Sequence, residues 1–196
     1  MFSSFFKLFY YIIMLLVIIV IFISCFFIPY FSNGQIGNFI EQGEIVISSS
    51  GFAWPIPGYT TITSYFGKRN SPTIGASSYH KGLDIGAPEG TVLIAAIDGE
   101  ITYTGFLGGG GYTITLSKEN MKITYCHVSP MFIVEIGEKV IRGQIIGQVG
   151  PKYVYGVKEN NYQDENGKPT NGATTGCHLH FGIRVNDEYE DPLNYY

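Results

Sequence analysis

From Leu8 to Ile28 the chain reads LFYYIIMLLVIIVIFISCFFI, a run without a single charge. At about 1.5 Å per residue, a helix of that length spans roughly 30 Å, one hydrocarbon core. A buried core helix would carry a polar side, and this run has none. A cleaved signal peptide would have a shorter apolar region followed by small residues. Ser24-Cys25 imitates a lipoprotein cleavage site, but Phe26-Phe27 continues the apolar run past it. Pro29 and Ser32-Asn33-Gly34 mark a helix end. One N-terminal transmembrane helix is therefore expected. Lys7 precedes it, and Glu41 and Glu44 follow it. The positive-inside rule then places residues 1–7 in the cytoplasm, residues 8–28 in the membrane as a single-pass anchor, and the rest outside.

Residues 29–51 read as a tether and 52–196 as one compact domain, long enough for a real core. The formal net charge is -4, and no Lys/Arg cluster occurs. Nucleic acid is thereby excluded as an expected partner. The chain has 25 glycines, 15 tyrosines and 14 phenylalanines, a mixture that suits many short strands with tight turns. Pro55 and Pro57 mark the entry to the domain. TITSYF alternates as a strand. TVLIAAIDGEITYTGF is predicted to be two strands joined in a hairpin at Asp98-Gly99. YTITLSKENMKITYCHV is predicted to be another pair turning near Glu119-Asn120. Gly143, Gly147 and Gly150 in KVIRGQIIGQVG suggest bends or bulges. No window of the domain reads as a helix. Residues 151–171 form a polar, turn-rich stretch of a length uncommon in compact domains. It is either a surface insertion or the rim of a cleft carrying Tyr153, Tyr155 and Tyr162.

The chemistry gathers on four histidines. In GCHLHFGI, His178 and His180 stand two apart, so on a strand they share one face while Cys177, Leu179 and Phe181 take the other. Two imidazoles on one face make a poor core and a good half-site for a metal. In YHKGLDIG, His80 and Asp84 are four apart around Gly82, and an extended stretch puts both on one side. In ITYCHVS, alternation predicts that Tyr125 and His127 share a face and Cys126 takes the other. Two histidines and a carboxylate would bind zinc and leave a fourth position for water. The remaining two histidines would handle protons or an oxyanion. Spacing alone leaves open which histidine does which.

These residues resemble a known signature. His80-x-x-x-Asp84, Tyr125-Cys126-His127-Val128-Ser129 and Thr175-Gly176-Cys177-His178-Leu179-His180 occur in the order found in lysostaphin-type zinc endopeptidases, the M23 peptidase family. The flanking TSYFGKR, APEGTVLIAAIDGEI and GEKVIRGQIIGQVG match as well. The resemblance covers about residues 52 to 194. It implies an all-β fold, a small mostly antiparallel sheet with an open groove. It implies Zn2+ held by His80, Asp84 and His180, with His127 and His178 as catalytic histidines. It implies hydrolysis of peptidoglycan peptides by metal-activated water, on a domain held outside a bacterial cell membrane. Family members usually have proline at Cys177 and glutamate at Gly182; neither position is a ligand.

Two alternatives carry other expectations. One keeps the fold without catalysis, as an anchored structural domain with partners in an envelope machine for secretion, conjugation or sporulation. The other is a biotinyl- or lipoyl-type carrier with a lysine at a hairpin tip, for which Met121-Lys122 is a weak candidate. Such a carrier has no use for four aligned histidines. By alternation Cys126 and Cys177 both lie on strand backs, so a disulfide between them is a further expectation, against two free packed thiols.

Overall fold

The computed structural model describes residues 2–22, 43–73 and 75–196, and on its one helix the side chains of residues 9–19. The described chain falls into two units that divide between Glu41 and Gln42.

The first unit contains α1, Phe2–Phe22. Every described side chain on it, Phe9 through Ile19, is apolar or aromatic and exposed. The helix thus begins before the expected anchor, and residues 23–28 of that anchor lie outside the described residues. Among the described residues no helix is long and apolar enough to cross a membrane. Residues 9–19 alone span about 16 Å of helix, half a hydrocarbon core.

The second unit is almost all β. Its strands are β1 Ile62–Ser64, β2 Gly67–Lys68, β3 Tyr79–His80, β4 Leu83–Gly86, β5 Val92–Ile94 and β6 Gly99–Phe106. They continue with β7 Tyr112–Lys118, β8 Met121–Cys126, β9 Lys139–Val140, β10 Ile145–Gln148, β11 His178–Val185 and β12 Glu188–Glu190. The main sheet runs β1-β4-β11-β8-β7-β6-β9, with β12 added on β11. All its pairings are antiparallel. Strands β4 and β12 share one edge of β11, β4 along its first half and β12 along its last three residues.

The two-residue period of the sequence decides the faces. Leu179, Phe181 and Ile183 of β11, Ile123 and Tyr125 of β8, Ile114 and Leu116 of β7, and Leu83 and Ile85 of β4 are fully buried on the back. They form one core with Ile56, Leu93 and Ile146. Each such side chain contributes roughly 1.5–3 kcal/mol by leaving water. The hydroxyl of Tyr125 accepts the Ala96 amide at 2.8 Å, so the buried ring leaves no orphan polar atom. Across the sheet Asp84, His178, His180, Cys126 and Thr113 take the opposite face.

Several expectations find their elements. The Glu119-Asn120 turn joins β7 to β8, with Glu119 at φ 53°. The glycine-rich stretch bends, with a register shift between Ile145 and Gly147. Residues 151–171 carry only the isolated bridges Tyr153↔Thr170 and Gln163↔Pro169. The Asp98-Gly99 hairpin does not form. Strand β5 leaves the main sheet to pair with β10, while β6 pairs with β7 and β9. A local turn signal cannot reveal that two flanking strands belong to different sheets.

Candidate functional site

The cleft on the front of the sheet has a volume of about 680 Å³. Its floor is β11 and β8, one wall is made by residues of 69–72 and 75–81, and the other by Leu107, Gly109 and Gly110 with Ala173 and Thr175. All four histidines line it.

His180 sits directly across from Asp84 in the β11–β4 register. His80 precedes the bend at Lys81-Gly82 and returns to the same spot. A Cβ at Gly82 would overlap the Phe181 carbonyl, so only glycine lets this segment lie against β11. His80 Nε2, Asp84 Oδ1 and His180 Nδ1 form a nearly equilateral triangle, with separations of 3.0, 2.9 and 2.9 Å. His80 and Asp84 are buried, at 2% and 8% exposure.

The protons of this triangle are informative. His80 Nδ1–H donates to the Tyr65 carbonyl at 2.8 Å, which leaves Nε2 as a lone pair in the neutral ring. That lone pair faces a carboxylate oxygen. A proton on His180 Nδ1 still leaves the His80–Asp84 contact as two lone pairs at 3.0 Å. Two imidazoles and a carboxylate whose donor atoms converge within 3.0 Å of one another are the donor types that zinc takes. The donor set and its spacing therefore fit a divalent metal, and these are the described residues that could hold one.

Asp84 Oδ2 is held from outside by Arg69, whose guanidinium donates to it at 2.9 Å and to Ser64 Oγ at 2.6 Å. Burial works to raise the Asp84 carboxyl. Protons carried toward it by the imidazoles of His178, His180 and His80 would outweigh burial and hold the group far below the carboxylate range. Burial lowers His180, against the pull of Asp84.

His127 and His178 stand beside the triangle, their ring centroids 4.7 Å apart. His127 Nδ1–H donates to the Asn171 carbonyl at 2.7 Å, and His178 Nδ1–H to the Gly176 carbonyl at 2.9 Å. Each ring is left with Nε2 as its free acceptor; that of His178 lies 3.5 Å from Asp84 Oδ1. Burial, then the neighbouring His178 and His180, push His127 down to about 3, so it is neutral at ordinary pH.

His127 reaches the cleft by a route that alternation misses. Cys126 opposes His180 and shares its face, while Tyr125 opposes Phe181 in the core. His127 follows the last residue of β8 with φ at 59°, a left-handed turn that brings it to the Cys126 side. The expected face-sharing of Tyr125 and His127 is thus corrected. So is the disulfide. Cys126 lines the cleft and Cys177 packs against the core on the opposite face, and both thiols are free. Burial pushes the Cys126 thiol up to about 11.

Sequence reasoning missed the groups that aim the imidazoles. Tyr65 and Gly176 act through backbone carbonyls, which no side-chain pattern marks. Asn171 also uses its side chain: Oδ1 accepts the Tyr112 amide at 2.8 Å and Nδ2 donates to the Val128 carbonyl at 3.0 Å. It ends the long loop 151–171, no residue of which lines the cleft. Of the loop's tyrosines, Tyr153 is held by Asp164 and Tyr155 projects at 70% exposure. Tyr162 alone packs near Gly75 and Gly109 beside the cleft.

The profile of Peptidase family M23 matches residues 78–192. The chain is 31% identical over 155 residues to a Neisseria meningitidis protein named DD-carboxypeptidase/endopeptidase Mpg, covering 79% of this chain and 31% of that one. It is 27% identical over 157 residues to peptidoglycan DD-endopeptidase ShyC of Vibrio cholerae, covering 80% of this chain and 32% of that protein. The chain thus spans about a third of the length of these curated relatives. The catalytic domain of the antimicrobial peptidase lysostaphin from Staphylococcus simulans superposes with a TM-score of 0.55 at 28% identity, over 70% of this chain and 91% of that one. With all four histidines and Asp84 inside a match that spans more than half its length, the chain belongs to Peptidase family M23, a metallopeptidase family.

Proposed function

We propose that this chain is a zinc-dependent endopeptidase that hydrolyses peptide bonds in the cross-links or stem peptides of peptidoglycan. One observation carries the reading: the His80–Asp84–His180 triangle lies on the floor of an open cleft with two further imidazole Nε2 atoms beside it. Those three residues would hold the ion. When bound, zinc supplies a Lewis acid for the peptide carbonyl and lowers the pKa of water toward roughly 7. His127 and His178 do the proton work. Their Nδ1–H groups are committed to backbone carbonyls, so each ring is fixed in orientation with Nε2 free. One ring takes a proton from the attacking water. That ring, now protonated, gives the same proton to the leaving amine, and the second ring, when protonated at Nε2, hydrogen-bonds the carbonyl oxygen as charge develops. The relatives named as endopeptidases support this substrate class.

The test incubates the full chain in detergent with isolated peptidoglycan and identifies released peptides by mass spectrometry. Release should stop with chelator and return with zinc. Walls left intact by the zinc-loaded chain would sink the reading.

The uncharged run Leu8–Ile28 and the exposed apolar side chains Phe9–Ile19 support a second proposal, a single-pass anchor with residues 52–196 outside the cytoplasm. Protease added to spheroplasts should then degrade the domain; complete protection would refute this placement.

A further inference from the structure

One end of the cleft carries two cations that, among the described residues, no carboxylate contacts. On β11 the residues facing the cleft are His178, His180, Gly182 and Arg184, and both Arg184 and its register partner Tyr189 on β12 line it. Arg184 lies over the Tyr189 ring at 5.3 Å, and Lys81, which also lines the cleft, lies over the same ring at 4.8 Å. Among the described residues neither side chain has a carboxylate partner or a hydrogen bond, and Arg184 Nε is buried without one. Asp187, the carboxylate of the adjoining turn, contacts Lys122 at 2.7 Å and acts on Arg184 only through space, without a contact. The other cleft arginine, Arg69, is committed to Asp84. In a chain whose net charge is -4, two cations gathered on one tyrosine with no carboxylate in contact among the described residues call for an explanation.

Their position supplies it. Arg184 lies on the strand that carries His180, and Lys81 lies beside it. Gly182, between His180 and Arg184, adds no side chain of its own there, where Thr124 Oγ1 and the Lys81 carbonyl already stand close. His180 and Arg184 are four steps apart along the strand, roughly 13 Å, the reach of three or four residues of extended peptide. We infer that Lys81 and Arg184, steadied by Tyr189, form a subsite for a free carboxylate on the substrate peptide, about three residues along from the scissile bond. The group recognised is a chain-terminal or side-chain carboxylate, for which a guanidinium and an ammonium are the matched donors. The inference deepens the peptidase reading and takes its peptide substrate from it. It makes the chain selective for walls whose stem peptides keep carboxylates free rather than amidated.

The experiment uses the full chain in detergent, metal-free so that no turnover occurs, and two probes. One is a pool of muropeptides with free carboxylates. The other is the same pool converted to carboxamides with carbodiimide and ammonia. Binding is read by calorimetry. The free pool should bind about ten-fold tighter or more, with the difference shrinking as salt rises. K81Q and R184Q should each weaken binding to the free pool and leave binding to the amidated pool unchanged. Equal binding of the two pools, no binding of either, or full discrimination kept in both variants would overturn the subsite. Lys81 is exposed, so K81Q tests the idea even if R184Q fails to fold. Zinc-loaded chain that cleaves both pools equally would keep the peptidase and remove the subsite. Chain that discriminates in binding yet never cleaves would do the reverse.

Discussion

Arg69 touches no expected ligand atom directly involved in the triangle, yet it decides where one of them points. Its guanidinium joins Asp84 Oδ2 to Ser64 Oγ and leaves Oδ1 turned toward the two imidazoles. Groups that hold a ligand in this way typically matter ten- to a hundred-fold for metal affinity. Arg69→Ala should therefore weaken zinc binding by about that factor, measured by competition with a chelating dye. Zinc affinity equal to that of the natural chain would show that Asp84 orients itself. The resemblance named the five chemical residues, because histidine and aspartate at those spacings have few other uses. Arg69 lay in a matched flank, TSYFGKR, but no spacing rule connects it to a residue fifteen positions away.

Strand β11 is the element on which the site depends. Its alternation was plain in the sequence, with Leu179 and Phe181 inward and His178 and His180 outward, and the structure keeps that division. Alternation failed at β8 because the strand stops at Cys126, and a positive φ at His127 resets the count. Periodicity is a property of regular backbone, so it says nothing about the residue just past a strand end, where this site takes one of its histidines. The approach of the His80–Asp84 segment to β11 rests on Gly82. Gly82→Ala would drive a methyl group into the Phe181 carbonyl and push the segment outward. The expected cost is about 1–3 kcal/mol, with a matching fall in bound zinc. Thermal unfolding and metal analysis read the two effects; a variant with natural stability and full zinc would refute this account of the bend.

At the scale of the β-domain, burial sets an alkaline limit. Burial raises Cys126 to about 11 and pushes Tyr125 and Tyr196 well above the tyrosine range; Tyr195 rises to about 12. All four hold their protons more tightly folded than unfolded. Their contribution is therefore complete below the unfolded values, near 9 for the thiol and 10 for the phenols, and is lost progressively as pH rises from those values through the higher folded ones. The urea midpoint should be flat from about pH 7 to 8.5 and fall steadily above about pH 9. A midpoint unchanged to about pH 11 would mean these groups open to water without unfolding.

The sequence alone determined what is local: which stretches are strands, which face of β11 is apolar, and which residue types are able to hold a metal. These follow from backbone geometry and side-chain chemistry within a few residues. Tertiary structure decided what is not local: that β5 leaves β6 for β10, that Cys126 and Cys177 lie on opposite faces, and that Arg69 and Asn171 hold Asp84 and His127. It also decided that Lys81, Arg184 and Tyr189 meet at one end of the cleft. The physical reason is that each of these outcomes depends on which distant strands share an edge, and a strand's own residues carry no label for the neighbour it will pair with.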